Sequence, residues 1–212
     1  PRNSDVGTHS VVLTATDSGG LTGTQSFTIT VANVNDAPTI TSSASTFITQ
    51  NSFYSYTITT NDIDSGDVVT ISATNPSWLD LSGNVLSGTP TNSDVGLHSV
   101  TITATDTGGL TATQSFSITV ENVNDAPTFT STPITTATED VGYDYTPTTN
   151  DIDTGDTVTV SLTSGPSWLI LNAGNLGGIP RNSDVGNHSV VLTATDPGGL
   201  TATQSFTITV AN

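Results

Sequence analysis

Among the residues of this sequence that could do chemistry, the most closely set are carboxylates in a repeated spacing. The word NDIDTGD at 150–156 holds Asp151, Asp153 and Asp156, and NDIDSGD at 61–67 repeats it with Asp62 and Asp64. Alternate residues of an extended DxD point to one side, so its two carboxylates can converge. Gly155 lets the backbone turn, which brings Asp156 or a carbonyl closer. Carboxylates this close repel, or raise one another's pKa, unless a cation stands between them. Calcium suits such donors: it takes six to eight oxygens at about 2.3–2.6 Å from carboxylates, carbonyls and Asn side chains. The plainer reading is a solvated acidic turn, since Asp is common in turns.

The rest of the chain supplies almost no positive charge to answer these acids. Nineteen Asp and Glu stand against two Lys and Arg, Arg2 and Arg181, for a net charge of −17. Nucleic acid and anionic membranes require cationic surface and are excluded as partners. Without cysteine there is no disulfide, thiolate metal site or cysteine nucleophile. No apolar run approaches the roughly 20 residues that span a bilayer, so membrane insertion is not expected. The chain begins at Pro1 without methionine, which reads as a segment of a longer protein.

Catalytic readings are weak. His9, His98 and His188 recur in one place, GxHSV, as strand residues, and no G-x-S-x-G word occurs. Paired acids could serve glycoside hydrolysis. Here, however, all three acids of NDIDTGD lie on one loop that recurs with the repeat, and a structural unit rather than an enzyme is expected.

Internal repetition organises everything else. The sequence 1–33 returns at 180–212 with only Thr8, Ser18 and Gly23 changed, to Asn187, Pro197 and Ala202. A middle copy runs from Pro90 to Asn122, and VNDAP stands at 34–38 and 123–127. The unit is therefore about 90 residues, the size of a small sandwich domain. The expected organisation is the C-terminal part of a truncated repeat (1–33), a complete repeat (34–122) and a second complete repeat (123–212). The leading part alone would expose an unpaired edge and a bare apolar face.

Within a unit, HSVVLTATD (188–196) and TQSFTITVAN (204–212) alternate apolar with small polar residues, as half-buried strands do. PGGL between them signals a hairpin turn. About seven short strands and no helical period predict an all-β fold of tandem immunoglobulin-like Greek-key sandwiches, with a small barrel as the alternative. Trp78 and Trp168 read as core plugs. Tyr54 with Tyr56, and Tyr143 with Tyr145, read as packing pairs on one strand face.

A series of words in order, PSWL, G-x-P, DVG and TATDxxG, occurs in both full units: Pro76, Trp78, Leu79, Gly88 and Pro90, then Pro166, Trp168, Leu169, Gly178 and Pro180. Over the whole chain this resembles the bacterial cadherin-like families, the dystroglycan-type cadherin-like group among them, and the immunoglobulin-like tandem repeats. The resemblance implies calcium at the joints between domains. It would use linker residues, a DxD, the Asp of an AxD word, and acids near a domain's start and before its penultimate strand. On this sequence it implies Asp5, Asn35, Asp36, Asp62, Asp64 and Asp106 at one joint, and Asp94, Asn124, Asp125, Asp151, Asp153 and Asp196 at the next, with Asp156 beside them. Glu139 and Asp184 would serve a further domain, a site expected to be empty or incomplete. Gln50 replaces the acid near the start of the middle unit, and the linker is one residue short, so one calcium per joint is expected rather than three.

The functional expectation is a calcium-binding extracellular spacer or adhesive segment, a bacterial surface or secreted rod or filament stiffened by calcium. Neighbouring repeats of the same chain are its expected partners. Self-assembly through the incomplete N-terminal repeat and a cell-surface ligand are further expectations. The alternative is a carbohydrate-binding module, which exposed aromatics on a flat face would favour.

Overall fold

The computed structural model describes residues 1–212, which divide into two compact units, Pro1–Glu121 and Asn122–Asn212. The first opens with a two-stranded antiparallel hairpin, β1 (Gly7–Thr16) and β2 (Thr22–Val31), entered through a short 3₁₀ turn at Asn3–Asp5. Asp17 makes the hairpin turn, its Oδ1 accepting from the backbone N–H groups of Gly19 and Leu21 at 2.9 Å each. This is the Asx-type turn that lets an aspartate end a strand.

The remainder of the first unit is a sandwich. Its strands are β3 (Thr39–Ile40), β4 (Phe47–Thr49), β5 (Tyr54–Thr57), β6 (Thr60–Asn61), β7 (Thr70–Thr74), β8 (Leu79–Ser82), β9 (Val85–Gly88), β10 (Gly96–Thr105) and β11 (Thr111–Glu121). One sheet has the order β4-β11-β10-β7, with β4 running parallel to β11, and the facing layer is β5-β9-β8 with the β3-β6 pair. Tyr54, Tyr56, Ile58, Leu79 and Leu86 from one side meet Val100, Ile102 and Ile118 from the other, all buried. The period-2 alternation of β10 and β11 puts every second residue into this core.

The second unit repeats the plan with β12 (Thr128–Phe129), β13 (Thr136–Thr138), β14 (Tyr143–Tyr145), β15 (Thr149–Asn150), β16 (Thr159–Ser164), β17 (Ile170–Asn172), β18 (Asn175–Gly178), β19 (Gly186–Thr195) and β20 (Thr201–Ala211). Its sheets are β13-β20-β19-β16 and β14-β18-β17, with the β12-β15 pair. The fold is all-β and immunoglobulin-like in tandem, as the alternation and turn words predict.

Trp78 and Trp168 are half-buried and pack against the core cluster of their own unit. Trp78 stands between Tyr54 and His98, and Trp168 between Tyr143 and His188, each contact T-shaped with ring centroids 6.0–6.2 Å apart. The backbone of each Trp presses on a glycine. A Cβ at Gly88 would lie 1.9 Å from the Trp78 carbonyl oxygen, and one at Gly178 2.0 Å from that of Trp168, so these two positions admit only glycine. No helix is long and apolar enough to cross a membrane.

Candidate metal centre

Each sandwich gathers its acids at one end, where the linker enters. In the first unit the turn after β6 carries NDIDSGD, and Gly66 takes φ 96°, a left-handed value that glycine adopts without strain. Asp62 Oδ1 accepts from the Asp64 N–H at 2.9 Å, and the Asp67 N–H donates to the Asp64 carbonyl at 3.3 Å. The turn is thereby folded back, so that Asp62 and Asp67 face one another. Asp106 joins them from the end of β10, where its Oδ1 accepts from the Leu110 N–H at 2.8 Å to close the β10–β11 turn. Carboxylate oxygens of Asp62, Asp67 and Asp106 all lie within 4.8 Å of one another.

The linker is fastened to the same acids. Asp64 is buried, and its Oδ2 accepts from the Asp36 N–H at 2.6 Å. Asp106 is buried too, and its Oδ2 accepts from the Asn35 side-chain amide at 2.9 Å. Gly108 explains why Asn35 can reach this far: a Cβ there would meet the Asn35 side chain at 2.5 Å. From the turn ahead of β1, the Asn3 amide donates to Asp36 Oδ2 at 2.7 Å and, more weakly, to Asp64 Oδ1 at 3.5 Å.

The second unit builds the same end from its own residues. Gly155 has φ 99°, Asp151 Oδ1 accepts from the Asp153 N–H at 3.0 Å, and the Asp156 N–H donates to the Asp153 carbonyl at 3.2 Å. Asp153 Oδ2 accepts from the Asp125 N–H at 2.7 Å, Asp196 Oδ2 from the Asn124 amide at 2.8 Å, and Asp196 Oδ1 from the Leu200 N–H at 2.9 Å. Gly198 gives Asn124 the room that Gly108 gives Asn35. Here the carboxylates within 4.8 Å of one another are those of Asp151, Asp153 and Asp156. Partial burial, with the negative charges of Asp151, Asp153 and Asp196, pushes the Asp156 carboxyl above its ordinary range.

This donor set fits a hard divalent cation. All the charged ligands are carboxylate oxygens, and Asp62 Oδ2, Asp67 Oδ2 and Asp151 Oδ2 are buried atoms with no hydrogen-bond partner. A buried carboxylate oxygen without a partner is costly, and a cation relieves that cost along with the mutual repulsion. With no thiolate in the chain and no imidazole in either group, the preference is for calcium or magnesium over softer metals.

Most of the residues singled out in the sequence fall into two sets. Asn35, Asp36, Asp62, Asp64 and Asp106 come together in the first unit, and Asn124, Asp125, Asp151, Asp153, Asp156 and Asp196 in the second. Asp5 and Asp94 cap their own 3₁₀ turns. Asp5 accepts from the Arg2 N–H at 2.7 Å, and Asp94 from the Thr91 N–H and hydroxyl at 2.8 Å each. The Thr91 N–H is the main cause holding the Asp94 carboxyl below the ordinary range. Glu139 lies at the end of β13, with a buried Oε2 that lacks a partner, beside Asp140 at φ 57°. In the middle repeat the same position is the buried Gln50.

Two contributors were missed in the sequence. Asp67 is the counterpart of Asp156 in the repeated word, and Asn3 belongs to the NSD word that recurs at 92–94 and 182–184. Both signals lay in the repeats themselves.

The family model described as Putative Ig domain matches residues 37–121 and again 126–211. The chain belongs to this family. It is 31% identical over 177 residues to the "Serine-rich adhesin for platelets" of Staphylococcus aureus strain MRSA252, a match covering 80% of this chain but 12% of that protein. Among solved structures, protocadherin PcdhgB3 EC1-4 aligns with TM-score 0.70 and 20% identity over all of this chain and 58% of its own. The protocadherin gamma B2 cadherin domains 1–5 align with TM-score 0.64 and 20% identity over 98% of this chain and 46% of theirs. These Ig-domain repeats therefore share the cadherin fold, and their curated relatives are bacterial adhesins.

Proposed function

We propose that these Ig-domain repeats are calcium-binding structural segments of a bacterial surface or secreted adhesin, and that the ion orders the linker at the acidic end of each sandwich. The observation that carries this reading is the pair of converging carboxylate groups, Asp62/Asp67/Asp106 with two unpartnered buried oxygens and Asp151/Asp153/Asp156 with one, each hydrogen-bonded to the linker. Asp62, Asp64, Asp67 and Asp106 would hold the ion in the first unit, with Asp36 and the side-chain oxygens of Asn3 and Asn35 as neutral or secondary donors. Asp151, Asp153, Asp156 and Asp196, with Asn124 and Asp125, would hold it in the second. The bound cation supplies positive charge and nothing more. The chain contributes ligands from the linker, the DxDxGD turn and a distant strand end, so that binding and linker order become one event. A run of such linkers would behave as a stiff rod in calcium and a flexible one without it.

Calorimetric titration of calcium into the chelator-treated chain tests this. Extracellular modules bind at roughly 10⁻⁴–10⁻³ M, and calcium at about 100 times Kd should stabilise a unit by about 2.7 kcal/mol. Melting and scattering curves that coincide with and without chelator would overturn the reading. The pH response sharpens it. Because the Asp156 pKa is raised in the folded state, the calcium-free second unit should lose stability as pH climbs from about 3.8 through the folded value. Asp156→Asn should remove that loss, stabilising the calcium-free unit at pH 7 while weakening calcium binding there.

One observation favours a second reading, carbohydrate binding. The middle repeat carries exposed Phe47 and Phe53 where the last repeat has Thr136 and Gly142. A glycan pull-down that Phe47→Ala and Phe53→Ala abolish would support it.

A further inference from the structure

The strands β1 and β2 present a docking surface whose occupant can be read from the rest of the chain. In the last repeat, the same pair of strands turns Val190, Leu192, Ala194, Ile208 and Val210 into a core, and all five are buried. The corresponding residues of the leading hairpin are Val11, Leu13, Ala15, Ile29 and Val31, identical in type and position. Yet Leu13 is 53% exposed, Ile29 49% and Phe27 42%.

The bare face also carries polar groups placed for particular partners. In the complete repeats Gln114 and Gln204 each accept from a tyrosine hydroxyl, Tyr56 or Tyr145, at 2.8 Å. Their amides donate to the Ser42 and Ser131 carbonyls at 2.8 Å. The same two tyrosines stack edge-on against Phe116 and Phe206, and Trp78 and Trp168 against His98 and His188. The hairpin keeps all the receiving residues, Gln25, Phe27 and His9, but residues 1–33 contain no tyrosine or tryptophan.

We infer that this face is an acceptor for the first seven strands of another copy of the repeat, the segment equivalent to 123–179, and that the two form a third sandwich. A second hairpin is a poor substitute. Two strands of ten residues offer a face of roughly 300 Å², well short of the about 800 Å² per partner of an ordinary stable interface. Face-to-face pairing would also bury Gln25 without the tyrosine hydroxyl and carbonyl that its counterparts use, an unmade bond that costs about 1–3 kcal/mol. A repeat segment brings the apolar cover, the tyrosine, the tryptophan and the carbonyl together, in the register already realised twice in this chain.

The test joins a copy of residues 123–179 ahead of Pro1, reproducing the natural Ile179–Pro180 junction, and compares hydrogen exchange in the parent and extended chains. The expected result is at least about 100-fold slower exchange at the β1 and β2 amides, with loss of hydrophobic-dye binding. Leu13→Asp in the extended chain should return those amides to the parental rate while β19 and β20 stay protected. Gln25→Ala should give part of that loss. Unchanged hairpin exchange in an extended chain whose other two sandwiches remain protected would overturn the inference. So would a parent chain found as a dimer with its hairpin amides already protected, since the occupant would then be a second hairpin.

Discussion

The leading hairpin and the β19–β20 hairpin are a controlled comparison made within one chain. Their sequences differ at three positions in 33, and their registers match, with Val11 opposite Phe27 and Val190 opposite Phe206. Leu192 and Ile208 are nonetheless fully buried, whereas Leu13 and Ile29 are about half exposed. Alternation therefore prepares a face, and the burial that stabilises it is supplied by residues some 50 positions away. A hairpin by itself gains little, because a two-stranded ribbon is marginal in water.

The strongest way to break the comparison is a charge at the paired leucines. Leu192→Asp buries an unpaired carboxylate and should unfold the second unit, a loss of at least about 4 kcal/mol. Leu13→Asp should stay within about 0.5 kcal/mol and improve solubility. Urea melts of the two variants read the difference, and equal effects would mean that the hairpin face is already covered. Next in size, Ile208→Ala should cost about 2–5 kcal/mol by leaving a cavity, against a few tenths for Ile29→Ala. Gln204→Ala leaves the Ser131 carbonyl without its donor and should cost about 1–3 kcal/mol, while Gln25→Ala should change nothing measurable in the parent chain.

Alkaline titration separates the two regions without mutation. Burial, and then the neighbouring Tyr145, raise the Tyr143 pKa to about 12, and Tyr54 is raised likewise beside Tyr56. A folded pKa above the ordinary 10 means that the folded state holds the proton longer. Stability from these groups is complete below pH 10 and is lost as pH rises toward 12. The sandwiches should therefore loosen in that window, and absorbance of tyrosinate should rise with unfolding. The tyrosine-free hairpin contributes nothing to that signal.

What was legible in the sequence is what depends on neighbours along the chain. The strand alternation, the GGL turns and the DxDxGD word all carry local reasons, and the long hairpins β10–β11 and β19–β20 stand where those reasons place them, while the two-residue strands that raise the count from about seven to nine per full unit carry no such signal. The parallel pairing of β4 with β11 was not legible, because it joins residues about 70 apart with nothing in either segment to name the other. The acidic end was legible in part. Asp62 and Asp64 announce themselves by spacing, and the linker Asn35 and Asp36 by resemblance to a family. Asn3 contributes only an amide from the turn ahead of β1, and Asp5 in the same word, which the resemblance places at the joint, has a carboxylate that caps that turn. The packing of Trp78 against the core was legible from its size. The close approach of its carbonyl to Gly88 was not, because it is visible only once the two strands are side by side.

The smallest test lies at the one inward-facing position where the two hairpins differ. Gly23 stands where the last repeat has Ala202, and each pairs with an alanine across the ladder, Ala15 or Ala194. A Cβ at Gly23 meets nothing within 4 Å, and its φ is not in the left-handed region, so Gly23→Ala carries no steric or backbone penalty. The substitution restricts the unfolded chain and should stabilise the hairpin by about 0.4–1 kcal/mol, slowing β1 and β2 amide exchange by about two- to fivefold. In a chain whose hairpin is covered by a repeat segment, the added methyl would also leave water, worth about 0.8 kcal/mol more for one buried carbon. The difference between those two responses measures cover over the face directly. A gain of the same size in both chains would place Gly23 outside the covered area and confine the docking surface to the stripe from Leu13 to Ile29.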